Sequence, residues 1–376
     1  MNITPSTPYR LGLFYFLFFA WMGIQIPYFN LYLYHRGLSP AEIGAVTAAF
    51  PLVRVFAPGF WGYMTDRFDR KGIASPLLWL FSTLVFSLLL FTERFIPILI
   101  IVSLFTFFWA PTLPLVEAAA MMVVEKTGID YGRMRVWGTA GFILSAWLTG
   151  RLLDRWPVSA ILFGLLIFLF LNALLAWQLP SKKGGGSHLA IGRVMEQVRR
   201  PEVFRFLTVV MLMLVSHSAY YGFFSIYLES LGYPKGTIGL LWALGPLGEV
   251  IVLLNAGKLM RLFGAHSLLS FALLAAALRW TLFAVTDALF IIIIGQLLHT
   301  FTFGAFHIAS VRIVEDLFPE GMKNTAQALY SSSAYGTGLV IGSLACGLLY
   351  ERIGAPLLFL MSGTTALFAF YLLRRS

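Results

Sequence analysis

The chain has 376 residues, 59% of them hydrophobic and only 12% charged, and its mean hydropathy is +0.82. A water-soluble domain carries about 25% charged residues, so half that share excludes an ordinary soluble protein and makes lipid the solvent. The formal charge of +10 does not indicate a nucleic-acid binder, because the basic residues sit in short loops between apolar stretches and form no single patch.

A spanning helix needs about 20 mostly apolar residues, and twelve such stretches follow one another. The first, about 9–34, is of spanning length and lacks a small-residue cleavage site, which predicts a retained helix and not a signal peptide. The second, about 41–64, carries Arg54 midway in P-L-V-R-V-F-A-P and runs into the loop G-Y-M-T-D-R-F-D-R-K. That loop places Gly62, Asp66, Arg67, Arg70 and Lys71 ahead of the third stretch, about 74–92. The fourth, about 95–124, holds Pro111, Pro114 and Glu117; the fifth, about 134–153, opens with Arg135 and includes Phe142; the sixth covers about 158–179. A polar segment from Pro180 to about Pro201 follows, with Lys182, Lys183, a Gly-Gly-Gly-Ser run and an amphipathic piece bearing Arg193, Arg199 and Arg200. The seventh stretch, about 205–228, contains His217, Tyr220 and Tyr221, and the eighth, about 237–257, contains Glu249 in G-P-L-G-E-V. Arg279 and Trp280 lie in the ninth (about 266–286), His299 and His307 in the tenth (about 288–314), and the lone cysteine, Cys346, in the eleventh (about 323–349). The twelfth covers about 353–373.

The polar segment divides the chain into six spans plus six. The expected organisation is an N-terminal six-helix bundle over 1–180, a cytoplasmic linker over 181–204 and a C-terminal six-helix bundle over 205–376. An all-α integral membrane protein of twelve helices in two bundles is what a carrier built from parallel repeats should look like. Lys and Arg are about three times as frequent in one alternating set of loops as in the other, which predicts that both termini face the cytoplasm.

Ionisable side chains at membrane depth cost at least about 2.5 kcal/mol each on insertion scales, so they are functional candidates by default. Glu117, Glu249, Arg54, Arg279 and Arg135 meet that description, with His217 and His299 beside them. Each also has a structural reading: the acids as ion-pair partners, Arg135 as a snorkelling side chain near a helix end, the histidines as helix–helix hydrogen bonds. His307 and Arg312 are expected to be structural. Tyr220, Tyr221, Phe142 and Trp280 stand out among the aromatics because they neighbour the candidate charges.

The loop at 62–71 resembles the signature G-x-x-x-D-R-x-x-R-K between helices 2 and 3 of the major facilitator superfamily, with Asp69 where the family usually has Gly. There Asp66 would pair with a cation or helix N-terminus and stabilise one gate state. The L-V-E-A stretch at Glu117 and Y-G-R-M-R-V-W-G at 131–138 resemble the lactose permease group of proton symporters. That resemblance implies substrate-binding roles for Glu117 and Arg135, with Phe142 where the group stacks a tryptophan on sugar. It also implies proton-coupling roles for Glu249, Arg279 and His299, although Thr302 and Tyr221 replace two acids of that network. D-Y-G-R-M-R-V-W-G, H-S-A-Y-Y-G-F, R-W at 279–280 and L-L-H-T-F-T-F-G-A-F-H match the phenylpropionate permease group more closely, as does Arg54.

These resemblances imply a secondary transporter of the inner membrane that works as a monomer, by alternating access, on a small molecule and a proton. No phosphate-binding G-x-x-x-x-G-K-[ST] or H-E-x-x-H pattern is present, so neither ATP hydrolysis nor another enzymatic activity is expected, and no cofactor or metal is implied. Proton-coupled uptake of a small, plausibly aromatic, organic acid is the leading expectation. The cavity would hold a surplus of arginine, which binds carboxylates bidentately, with Arg54, Glu117, Arg135, Phe142, Tyr220 and Tyr221 at the substrate. Glu249 would carry the proton, since a carboxylate out of water is easier to protonate. A sugar or nucleoside symporter is the alternative, with export and a membrane-embedded sensor further behind.

Overall fold

In the computed structural model, which describes residues 4–68, 73–180 and 191–375, helices account for nearly every described residue and no strand occurs among them. The first half contains α1 (Thr7–His35), α2 (Pro40–Phe68), α3 (Ala74–Ser87), α4 (Phe95–Trp109), α5 (Thr112–Thr127), α6 (Tyr131–Leu153) and α7 (Ile161–Ala176). A short α8 (Ile191–Val198) precedes α9 (Pro201–Ser230), α10 (Lys235–Leu254), α11 (Ala256–Phe263) and α12 (Ala265–Val285). Then come α13 (Leu289–His299), a π-helical turn over Thr300–Ala305, α14 (Phe306–Leu317), α15 (Lys323–Ser331), a second π-helical stretch over Ser332–Gly338 and α16 (Leu339–Arg374).

Among the described residues, ten continuous helical runs are long and apolar enough to cross a membrane. The last run, Glu320–Arg374, bends at Gly354, whose φ of 73° and ψ of 169° favour glycine, and so supplies two spans. α6 is long enough at 23 residues and misses the apolarity of the others because it carries Arg133, Arg135 and Arg151. These make the twelve spans of the expected fold. α4 and α5 form one span, Phe95–Thr127, interrupted at Ala110–Pro111 where the prolines withdraw N–H donors.

Two compact units divide the chain. One comprises Met1–Ser39, Leu52–Ser187 and Gly232–Leu240; the other comprises Pro40–Pro51, His188–Leu231 and Leu241–Ser376. In the first, α1 is the central helix and packs along α6 and α7, while α3 lies against α4 and α7. Its core is aromatic: Phe18 stacks on Trp109 at 5.3 Å, and Trp21 lies 4.8 Å from the same ring. In the second, α9 is central and packs on α16, which also meets α12. The core there joins Tyr220, Trp242, Trp280, Phe283 and Phe359. The single thiol, Cys346, is buried in α16.

The outer faces are apolar, as lipid requires. On α7, Phe163, Ile167, Phe170 and Leu174 are exposed at three- and four-residue spacing, while Leu162, Leu165, Leu169 and Ala173 are buried. The only buried polar side chain of that helix, Asn172, returns a hydrogen bond to its own backbone at Phe168 O, 2.9 Å away.

Candidate functional site

Each unit contains a cluster in which an ion pair is extended by side-chain hydrogen bonds. In the first, Asp130 decides the geometry. Its carboxylate accepts the Gly132 N–H at 2.6 Å and caps α6, an arrangement favoured by the helix dipole. Helix begins at Tyr131, three residues ahead of the limit that hydropathy marks, and Tyr131 and Arg135 lie one turn apart on a shared face. Both reach Glu117 on α5. Tyr131 donates to Glu117 Oε2 at 2.7 Å, and Tyr15 on α1 donates to the same oxygen at 3.0 Å. Arg135 Nε stands 3.8 Å from Oε1. Its guanidinium lies over the rings of Phe19 (4.0 Å) and Tyr15 (5.4 Å). Glu117 and Arg135 therefore form a partly exposed ion pair, with two tyrosine hydroxyls added to it.

Arg54 belongs to the same unit and stands apart from that pair. Its guanidinium lies 5.5 Å from the centre of the Trp109 ring, and among the described residues it has neither a hydrogen bond nor an ion pair. Phe142 is buried, and its backbone lies against Gly23 where α6 crosses α1. Gly62, Asp66 and Arg67 lie in the last turns of α2. Arg67 donates to Tyr63 Oη at 2.5 Å and covers the Phe68 ring. Arg70 and Lys71 fall outside the described residues.

The second cluster is a continuous polar chain inside an aromatic shell. Arg279 on α12 is fully buried and lies over Tyr220 at 4.3 Å and Trp280 at 4.4 Å. Its Nη1 donates to His299 Nδ1 at 2.8 Å and to Thr302 Oγ1 at 3.4 Å. Its Nη2 donates to Gln296 Oε1 at 2.9 Å, an oxygen that also accepts from the Tyr220 hydroxyl at 3.2 Å. His299 Nε2 in turn lies 3.0 Å from Glu249 Oε1. Arg279 and Glu249 are thus joined through His299. The approach of α10 needs small residues: a Cβ on Gly245 would meet the His299 ring, and one on Gly248 would overlap the Thr300 hydroxyl. His217 caps the network, with Nε2 3.3 Å from Thr302 Oγ1 and its ring edge-on to Trp280 at 4.9 Å. Tyr221 packs beside Tyr220 and Trp242.

Sequence reasoning missed Tyr15, Tyr131, Trp109 and Gln296. Tyrosines and tryptophans are too common on packing faces to stand out, and Tyr15 meets Glu117 across 102 residues of chain. Gln296 had a usable signal, since it is an amide within an otherwise apolar run, I-I-I-I-G-Q-L-L-H.

The twelve-span helical fold carries an ion-paired polar cluster in each unit, and comparison with known proteins gives its family. Residues 9–361 match the model of the MFS_1 like family, and the chain belongs to that family, within the major facilitator superfamily of secondary transporters. Over 364 residues it is 30% identical to the probable 3-phenylpropionic acid transporter of Escherichia coli (strain K12), covering 94% of this chain and 93% of the relative. The maltose permease of Geobacillus stearothermophilus is 28% identical over 92% of this chain and 89% of its own. Among solved structures, the nucleoside transporter NupG superposes with a TM-score of 0.89 at 17% identity, over 98% of both chains. The protein is a multi-pass membrane transporter of a small molecule.

Proposed function

We propose that this carrier takes up a small organic acid, aromatic in type, together with a proton. The observation that carries the reading is Arg54. Glu117 has Arg135 and two tyrosine hydroxyls, and Glu249 has His299 with Arg279 behind it. Among the described residues, Arg54 holds a full charge within a span with no acid to meet it and an indole at its side. A cation so placed is costly unless a ligand neutralises it at some stage of the cycle, and a guanidinium beside an aromatic ring suits a carboxylate attached to a ring. The identity to the probable 3-phenylpropionic acid transporter supports the same substrate class. Glu249 is the proton carrier in this reading, half-buried and 3.0 Å from the His299 imidazole.

The test is uptake of labelled 3-phenylpropionate into proteoliposomes with and without an imposed inward proton gradient. Accumulation is expected only with the gradient, and a Glu249→Gln variant is expected to lose it. Accumulation by that variant equal to the wild type would remove Glu249 from the role.

A second reading, proton-linked uptake of a sugar or nucleoside, draws on the partly exposed Glu117–Arg135 pair, on the maltose permease relative and on the likeness to NupG in fold. An acid and an arginine side by side read hydroxyl groups well. Competition of uptake by maltose or a nucleoside, with none by 3-phenylpropionate, would favour it. Both termini facing the cytoplasm, an inner-membrane location, a monomeric carrier and six-helix halves at 1–180 and 205–376 complete the proposal.

A further inference from the structure

A guanidinium can only donate hydrogen bonds and keeps its charge in a protein. The 2.8 Å contact from Arg279 Nη1 to His299 Nδ1 therefore makes Nδ1 an acceptor with no hydrogen of its own. An imidazole with a bare Nδ1 is neutral and carries its one hydrogen on Nε2. That nitrogen is 3.0 Å from Glu249 Oε1, which accepts the N–H. The ring is also held from its sides. The α10 backbone at Gly245 lies against the Cδ2 edge, where a Cβ would come within 2.5 Å, and Phe303 stacks on the ring at 5.5 Å and 18°. Turning the ring over would put carbon where Arg279 needs an acceptor and where Glu249 needs a donor.

The neighbouring histidine has the opposite pattern. His217 Nδ1 is 2.8 Å from Met213 O, a carbonyl that only accepts, so Nδ1 carries a hydrogen, and its Nε2 lies 3.3 Å from Thr302 Oγ1. Two imidazoles with ring centres 6.4 Å apart are held in different forms by what stands at Nδ1.

We propose that His299 is a neutral spacer, locked by Arg279 with its hydrogen on Nε2, that transmits the guanidinium charge to Glu249 and never itself takes the transported proton. The inference deepens the proton-symport reading and rests on it for the role given to Glu249. The groups facing the ring are Arg279 from α12, Glu249 from α10, and His217 and Tyr220 from α9, whose rings lie 6.4 Å and 5.7 Å away. A second cation at His299 would sit against Arg279. In the proton-binding step, the proton adds to a carboxylate oxygen of Glu249 and gives the carboxylic acid. The carbonyl oxygen of that acid still accepts from Nε2–H, no bond of the imidazole breaks, and the Arg279–His299–Glu249 chain goes from net zero to one positive charge. Release reverses the step.

The experiment is nitrogen NMR of the intact chain, carrying isotope-labelled histidine, in lipid nanodiscs from about pH 5 to 8, the range in which an ordinary histidine titrates. A His299→Gln variant assigns the signal. The expected result is an unprotonated Nδ1 and a protonated Nε2 that do not move with pH. A His299 that becomes imidazolium in this range, or that carries its hydrogen on Nδ1, overturns the proposal. In Arg279→Gln the ring is expected to titrate or to exchange between its two neutral forms; an unchanged signal overturns the part given to Arg279. If that variant does not fold, Glu249→Gln serves instead, since Arg279 remains and Nδ1 must stay unprotonated. Uptake driven by the proton gradient separates this proposal from its parent. A locked His299 in a carrier indifferent to the gradient removes symport and keeps the lock, while a titrating His299 in a carrier that accumulates substrate removes the lock and keeps symport.

Discussion

Glu117 shows how a single acid is made tolerable inside a membrane protein. Two phenol hydroxyls donate to Oε2 and a guanidinium faces Oε1 at 3.8 Å, so the charge meets two donors and one cation. Hydrogen bonds to charged groups are worth about 1.5–3 kcal/mol each, although pairs within membrane bundles average nearer 0.6 kcal/mol. Tyr131→Phe removes the shorter of the two tyrosine bonds and is expected to lower the thermal unfolding midpoint in detergent more than Tyr15→Phe does. Equal midpoints for both variants and the wild type would show that the hydroxyls contribute nothing to holding Glu117. Arg54 is the converse, a charge with no such support. Arg54→Gln is expected to weaken binding of 3-phenylpropionate by roughly 10- to 100-fold, the equivalent of losing one charge-assisted contact of about 1.5–3 kcal/mol. Arg54→Lys should also weaken it, because an ammonium does not reproduce the planar fork over an indole. Binding measured by calorimetry on the purified carrier decides both. Charged residues at depth were legible in the sequence because their cost singles them out; the tyrosines that stabilise one of them were not, because nothing in their type or spacing separates a hydroxyl at work from a ring in a core.

At the scale of elements, α1 and α6 meet through glycine. A Cβ added at Gly141 would overlap the Phe16 carbonyl, whereas one at Gly59 on α2 would meet nothing within 4 Å. Gly141→Ala is therefore expected to destabilise the carrier by about 1–3 kcal/mol, the usual cost of overpacking. Gly59→Ala should be neutral or stabilising by up to about 1 kcal/mol through helix propensity. Thermal unfolding of the two variants side by side tests the contrast, and a Gly141→Ala protein as stable as the wild type would contradict the close approach. The spans themselves were legible because lipid imposes length and apolarity together. The start of α6 was not, since the capping bond of Asp130 outweighs the polarity of Tyr131 to Arg133. The π-helical turns at Thr300–Ala305 and Ser332–Gly338 left no trace in composition either. Such turns often accompany functional sites, and the first begins at the residue after His299.

For the whole molecule, the distribution of Lys and Arg makes one external statement. A fluorescent protein fused after Ser376 is expected to mature and fluoresce in cells, as a cytoplasmic C-terminus requires; a dark fusion in the membrane fraction would reverse the assigned orientation. The buried thiol at Cys346 has a practical corollary. A single Cys346→Ala change empties the chain of native sulfhydryls, so any pair of cysteines placed afterwards, one in each compact unit, can be tagged with nitroxide labels without background. The separation of such a pair, recorded by pulsed electron resonance with and without ligand, would follow the carrier through its working cycle in the bilayer.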